Sequence, residues 1–106
     1  MQKWDIQYWQ DSSEKNTIKE WFNKLPVQHV ESIAEEIDML ETYGNNLKMP
    51  HSKALGKGLF ELRERTYHYR LYYTFNGKHI IIVVMAGNKH SQEKDIKIAR
   101  KRLQEI

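Results

Sequence analysis

No cysteine occurs among the 106 residues, so the chain forms no disulfide, builds no thiolate metal site and offers no cysteine nucleophile. A reducing compartment suits such a chain, and the cytoplasm is the expected location. Long apolar runs are missing too: the longest, Ile80 to Ala86, falls far short of the roughly 20 residues of a membrane span. The opening stretch MQKWDIQYWQD has no apolar core of the signal-peptide kind, so the protein is expected to stay where it is made, off the membrane. Proline appears twice and glycine five times, too sparsely for a low-complexity tract, and no repeat or linker interrupts the chain. One domain over residues 1–106, with one core and one site, is the expectation. Metal-ligand spacing is also absent. No His-x-x-x-His pair or carboxylate cluster occurs, and Gly56-Lys57-Gly58 is not followed by the Lys-Ser/Thr of a phosphate loop, so neither a metal nor another cofactor is expected.

What the sequence does have is charge, unevenly placed. The formal net charge is +3. Residues 1–50 hold five Lys/Arg against nine Asp/Glu, and residues 51–106 hold twelve against five. The basic second half points to an anionic partner.

The pattern along the chain predicts its elements. Trp4 to Trp9 is short and aromatic, as an opening strand would be. Asp11, Ser12 and Ser13 offer cap oxygens for a helix with Ile18, Trp21, Phe22 and Leu25 at helical spacing, ended by Pro26. Pro26 can open a second helix, in which Val30, Ile33, Ala34, Ile37, Leu40 and Tyr43 form an apolar stripe opposite the acidic Glu31, Glu35, Asp38 and Glu41; Gly44 suits its C-terminal cap. Gly44 to Ser52 reads as a loop. Strands follow at Leu59 to Arg65 and Tyr69 to Phe75; Asn76-Gly77 predicts a tight hairpin turn, and Ile80 to Met85 pairs back as a strand apolar on both faces. After the loop Ala86 to Gln92, residues Glu93 to Ile106 predict a last helix with Ile96, Ala99, Leu103 and Ile106 inward and Lys94, Lys97, Lys101 and Arg102 outward or flanking. The order β-α-α-β-β-β-α implies an α+β domain, with helices on one face of a largely antiparallel sheet and the other face wet.

Alternation decides where the arginines point. Phe60, Leu62 and Glu64 share one face of their strand and Leu59, Glu61, Arg63 and Arg65 the other; in the next strand Tyr69, Leu71, Tyr73 and Phe75 leave Arg70, Tyr72 and Thr74 opposite. The two polar rows place Arg63, Arg65 and Arg70 on one surface with Tyr72 among them. Guanidinium forks bind phosphate, and an interleaved tyrosine offers a plane for an unpaired base. Glu61 and Glu64 would balance such arginines if they were merely structural. The loop after the third strand then presents Lys89 and His90 together. Metal-free RNA cleavage needs a proton taken from the 2′-OH, a proton given to the leaving oxygen, and positive charge around the phosphate, all of which this set can supply. The other histidines read as solvated: His29 on a helix flank, His51 in a loop, His68 in a turn and His79 beside Asn76-Gly77. Of these only His68 is placed to reach the basic face.

The run from Lys53 through Leu55, Lys57, Gly58, Leu59, Glu61, Leu62 and Arg63, then Tyr69-Arg70 with Tyr72 and Tyr73, a hydrophobic strand, Lys89-His90 and a helix with Ile96, Ala99 and Arg102 resembles the RelE/HigB superfamily of bacterial toxins, near its phage-derived Gp49-like branch. The resemblance implies a RelE-like fold, with two N-terminal helices packed on a curved, mainly antiparallel sheet and a C-terminal helix. It also implies a type II toxin whose activity is metal-independent cleavage of mRNA in the ribosomal A site, leaving a 2′,3′-cyclic phosphate. The implied partner is a cognate HigA-like helix-turn-helix antitoxin. On the resemblance, Arg63 and Arg70 hold the scissile phosphate, His90 moves the proton and Lys89 supplies charge or acts as base, with Arg65, Tyr72, Lys53, Lys57 and His68 as RNA contacts. Ala86, Gly87 and His90 stand where many relatives carry an aromatic residue and a second lysine. Two other functions compete: a ParE-like poison of gyrase, which keeps the fold but lacks the basic cluster, so that Arg63, Arg70, Lys89 and His90 argue against it, and a basic module that binds RNA without cutting it.

Overall fold

The computed structural model describes residues 3–11, 13 and 16–106. The elements are β1 (Asp5–Tyr8), α1 (Thr17–Asn23), α2 (Val27–Tyr43), β2 (Ser52–Gly56), β3 (Leu59–Glu64), β4 (Tyr69–Phe75), β5 (Ile80–Asn88) and α3 (Gln92–Leu103). Short 3₁₀ turns occupy Gly44–Asn46 and Lys89–Ser91. The five strands lie in the order β1-β5-β4-β3-β2, antiparallel except for the β1–β5 pair. The α+β class and the mainly antiparallel sheet match the sequence reading, with one strand more than expected. β2 stands at the sheet edge, where Lys53, Ala54 and Gly56 are exposed and give no alternating signal.

Local signals explain most boundaries. Asn16, not Asp11 or Ser13, caps α1, its side chain accepting from the Lys19 N–H at 2.9 Å; Ser12 lies outside the described residues. Pro26 precedes α2 as its N-cap, and Gly44 closes it with φ +51° and its N–H on the Leu40 carbonyl. Glycine is required there, since a Cβ would come within 2.0 Å of the Trp4 indole nitrogen. Ile33 and Leu40 of the α2 stripe are buried, but Ala34 and Tyr43 are exposed. The tight turn expected at Asn76-Gly77 is instead a four-residue connection, with positive φ at Gly77 and His79 and the Asn76 N–H on the Ile80 carbonyl at 2.8 Å.

Helices cover both faces of the sheet. On one, Ile18 of α1 and Ile33 and Leu40 of α2 pack over Leu62, Leu71, Tyr73, Ile81 and Val83. On the other, Ala99, Ile96 and Leu103 of α3 pack over Leu59, Tyr72 and Val84. The open second face expected from sequence is therefore half closed. Arginines anchor this helix. Val84 is the extra residue of a β-bulge, and its carbonyl accepts from Arg102 at 2.7 Å while that guanidinium sits 3.9 Å over the Trp9 ring. Arg100 donates to the carbonyls of Leu55 and Gly56 in β2. Arg102, expected outward or flanking, takes the flanking place and is part of the packing, whereas Ile106, expected inward, is exposed.

Candidate nucleic-acid interface

Register brings the two arginines of the motif together: Arg63 pairs with Arg70 across β3 and β4, and Glu61 with Tyr72. Two like charges directly opposite repel, and Glu61 offsets this. Its Oε1 lies 3.7 Å from Nε of Arg63 and 3.6 Å from Nε of Arg70. Gln92, at the start of α3, donates to its Oε2 at 2.7 Å. The Nε contacts exceed hydrogen-bond length, so they are charge contacts. Arg70 is nearly covered and donates through Nη1 to the Tyr69 carbonyl at 3.0 Å, whereas Arg63 is the more open of the two. Two guanidinium charges against one carboxylate leave the cluster net positive.

The proton-transfer candidates sit on the adjoining turn. The side chain of Asn88 accepts the backbone N–H groups of His90 at 2.8 Å and Ser91 at 3.1 Å, which tightens the turn carrying the exposed Lys89 and His90. Ser91 in turn donates its hydroxyl to the buried Asp95 of α3. Gly87 makes room for that carboxylate, since a Cβ there would stand 1.9 Å from Oδ2 of Asp95. The Lys89 N–H donates to the His68 carbonyl at 2.8 Å, joining this turn to the β3–β4 turn that carries Arg65 and His68, both exposed. One end of the sheet thus gathers Arg63, Arg70, Lys89, His90, Arg65 and His68. Lys53 is the cross-strand partner of Glu61 on edge strand β2 and is exposed. Lys57 lies in the β2–β3 turn at the other end of β3, six residues and roughly 20 Å along the strand from Arg63. It does not join the cluster.

Tyr72 cannot serve as a stacking plane: it is wholly buried beneath α3 with Leu59, Val84 and Ala99. Its hydroxyl has no hydrogen-bond partner among the described residues. Burial first, then the Glu61 and Asp95 carboxylates, push that phenol far above its ordinary value, with Arg70 opposing, so it stays protonated.

A second buried carboxylate fixes the β3–β4 turn. Glu64 accepts from the backbone N–H groups of Thr66 at 2.9 Å and Tyr67 at 3.0 Å, and from the Ser32 hydroxyl of α2 at 2.7 Å. Burial alone would raise this carboxyl; the hydrogen bonds from Ser32, Tyr67, Tyr69 and Thr66 outweigh it and hold the group below its ordinary value. A carboxyl whose folded value is depressed contributes stability above its unfolded value, about 4.3, that is lost as pH falls through the lower, folded one. Denaturant midpoints measured from pH 6 to pH 2 are therefore expected to fall more steeply below about pH 4 in the natural protein than in Glu64→Gln; parallel curves would contradict this role.

Three histidines read as solvated have partners, His79 lying tilted against Trp4 with ring centroids 5.0 Å apart. His29 stacks on Tyr67 at 3.7 Å and shares a 2.8 Å hydrogen bond with the Tyr69 hydroxyl, and His51 lies 3.0 Å from Glu36. Gln92, Asp95 and Tyr67 are site-end residues that the sequence reading did not single out, and Glu64, read there as a balance for the arginines, instead holds the β3–β4 turn. Their signal is weak because their partners are far along the chain or in turns without a period. Among the described residues, no group of three or more His, Asp or Glu side chains is placed to hold a metal ion, and no helix is long and apolar enough to cross a membrane.

Residues 20–104 match the family model described as phage derived protein Gp49-like. The chain belongs to the Gp49-like family. Among solved structures, this Gp49-like chain is similar to RelE in the archaeal RelE-RelB complex from Pyrococcus horikoshii OT3, with 18% identity over 81% of this chain and 94% of that one and a TM-score of 0.57. It is also similar to the isolated E. coli RelE toxin, with 18% identity over 90% of this chain and 98% of that one and a TM-score of 0.56. At such identity the likeness is one of fold, and the fold is that of the RelE toxins. No curated protein matches the sequence.

Proposed function

We propose that this Gp49-like protein is the toxin of a type II toxin–antitoxin pair, a metal-independent endoribonuclease that cuts mRNA in the A site of the translating ribosome. The observation that carries the reading is the pairing of Arg63 with Arg70 beside a single carboxylate, at the same sheet end as Lys89 and His90. In this reading the 2′-oxygen attacks the adjacent phosphorus, the P–O5′ bond breaks, and a 2′,3′-cyclic phosphate and a 5′-hydroxyl result. Arg63, the more open guanidinium, holds a phosphate oxygen, and Arg70 adds positive charge from beneath, where little solvent screens it. The 2′-hydroxyl loses one proton and the leaving 5′ oxygen gains one; His90 is the residue that moves the proton, and Lys89 supplies charge or takes the 2′-proton. Arg65, His68 and Lys53 extend the contact along the strand of RNA. The RelE toxin of the archaeal structure is in complex with RelB; the corresponding partner here is a cognate antitoxin of the HigA-like helix-turn-helix kind, and the place of action is the cytoplasm.

The test is primer extension on a reporter mRNA shortly after the protein is induced without antitoxin. Discrete cuts inside translated codons are expected, and His90→Gln is expected to slow them by about 10²–10⁴-fold. Intact mRNA despite growth arrest would shift the target to a protein such as gyrase. Cuts that persist unchanged in His90→Gln would remove His90 from the reaction.

A further inference from the structure

Tyr67 faces solvent at this end of the sheet, and the residue is 36% exposed. One side of its ring is stacked on His29, with centroids 3.7 Å apart and planes 19° from parallel. The ring is also held from behind. The Tyr67 N–H donates to Glu64, Glu64 is tied to Ser32 of α2, and His29 is tied to the Tyr69 hydroxyl. A ring fixed by its turn, its helix and its neighbour loses little freedom when a second flat group lands on it. Its chain neighbours Arg65 and His68 are exposed, and the His68 carbonyl binds the Lys89 N–H of the turn carrying His90. Aromatic planes interleaved with cations are what single-stranded nucleic acid requires: charge for successive phosphates and a face for an unpaired base.

We propose that Tyr67, backed by His29, is a stacking platform for one unpaired base of the RNA strand whose phosphates lie along Arg63, Arg65 and Lys89. This rests on the RNA reading of the site and deepens it by assigning a base subsite outside the cluster of cations. Stacking is tolerant of base identity, since every base has a π face, so the platform adds affinity and register without a sequence code.

The test uses two strands with equal numbers of phosphates: a 2′-O-methyl oligouridylate, which cannot be cut because its nucleophile is blocked, and its abasic counterpart. The natural protein is expected to bind the base-bearing strand more tightly. Tyr67→Ala is expected to weaken that strand about 10-fold and to leave the abasic strand unchanged, while Tyr67→Phe retains the full difference. Equal binding of the base-bearing strand by Tyr67→Ala and the natural protein would overturn the platform and leave the RNA reading standing. So would a Tyr67→Ala that weakened both strands alike. Failure of the natural protein to bind either strand, both free and placed as mRNA in the ribosomal A site, would overturn the RNA reading and the platform with it.

Discussion

Arg70→Ala is expected to lose both cleavage and stability, whereas Arg63→Ala loses cleavage with little change in stability. The two side chains face each other across β3 and β4 and share one carboxylate, so any difference between them must come from burial. Removing a group that stabilises charge in the transition state typically slows a reaction by about 10²–10³-fold, and that is the expected loss for either variant. Stability separates them. Arg70 is nearly covered, so its removal leaves the buried Glu61 with the neutral Gln92 amide and a cation only on the open side, a change of the kind that costs about 3 kcal/mol. Arg63 is partly in water, and its carboxylate contact is worth correspondingly less. Arg70→Lys completes the set: it keeps a charge near Glu61 but not the planar fork, so it should regain most of the stability and little of the cleavage. Thermal melting together with single-turnover cleavage would decide the matter. A Arg70→Ala protein that cuts at the natural rate would remove this arginine from the phosphate site.

The second large effect is expected at Glu61. Glu61→Gln keeps the shape of the side chain and an oxygen for the Gln92 amide, so it isolates the charge. Two guanidinium groups then face each other with no anion between them, and the fold is expected to lose about 3 kcal/mol, a fall in Tm of roughly 10–20 °C. RNA binding should move the other way, because the surface gains one net positive charge and its affinity becomes more dependent on salt. Cleavage should fall nonetheless, since the carboxylate that sets the direction of both guanidinium groups is gone. Tighter binding with slower cutting is an outcome that general damage to the fold does not produce. An unchanged Tm would mean that the carboxylate is not what holds the pair.

Four of the five strands, both long helices and the shared face of the motif arginines were legible because each has its own period. Phe60, Leu62, Leu71 and Tyr73 alternate cleanly, and Ile33 and Leu40 recur at helical spacing. β2 was not legible, because an edge strand with Lys53, Ala54 and Gly56 in solvent has no face to alternate. The docking of α3 was hidden for a different reason. Tyr72 stands between Arg70 and Thr74 and was grouped with its polar neighbours, while the residues that bury it, Leu59, Val84 and Ala99, come from three other elements. The platform residue was misplaced for the same cause. Tyr67 lies in a turn, where no periodicity applies, and its partner His29 is thirty-eight residues earlier (67 − 29 = 38).

The position of α3 also sets a timetable. Synthesis proceeds from the N-terminus, yet the first strand made, β1, pairs with β5, joining Asp5 to Ile80 across seventy-five residues (80 − 5 = 75). Gln92 and Asp95, which hold Glu61 and Ser91, arrive after every strand. A nascent chain that stops before them has both arginines and neither of these supports. The ion cluster is completed by the last helix to be made, so the growing polypeptide carries its cations long before it carries a finished site.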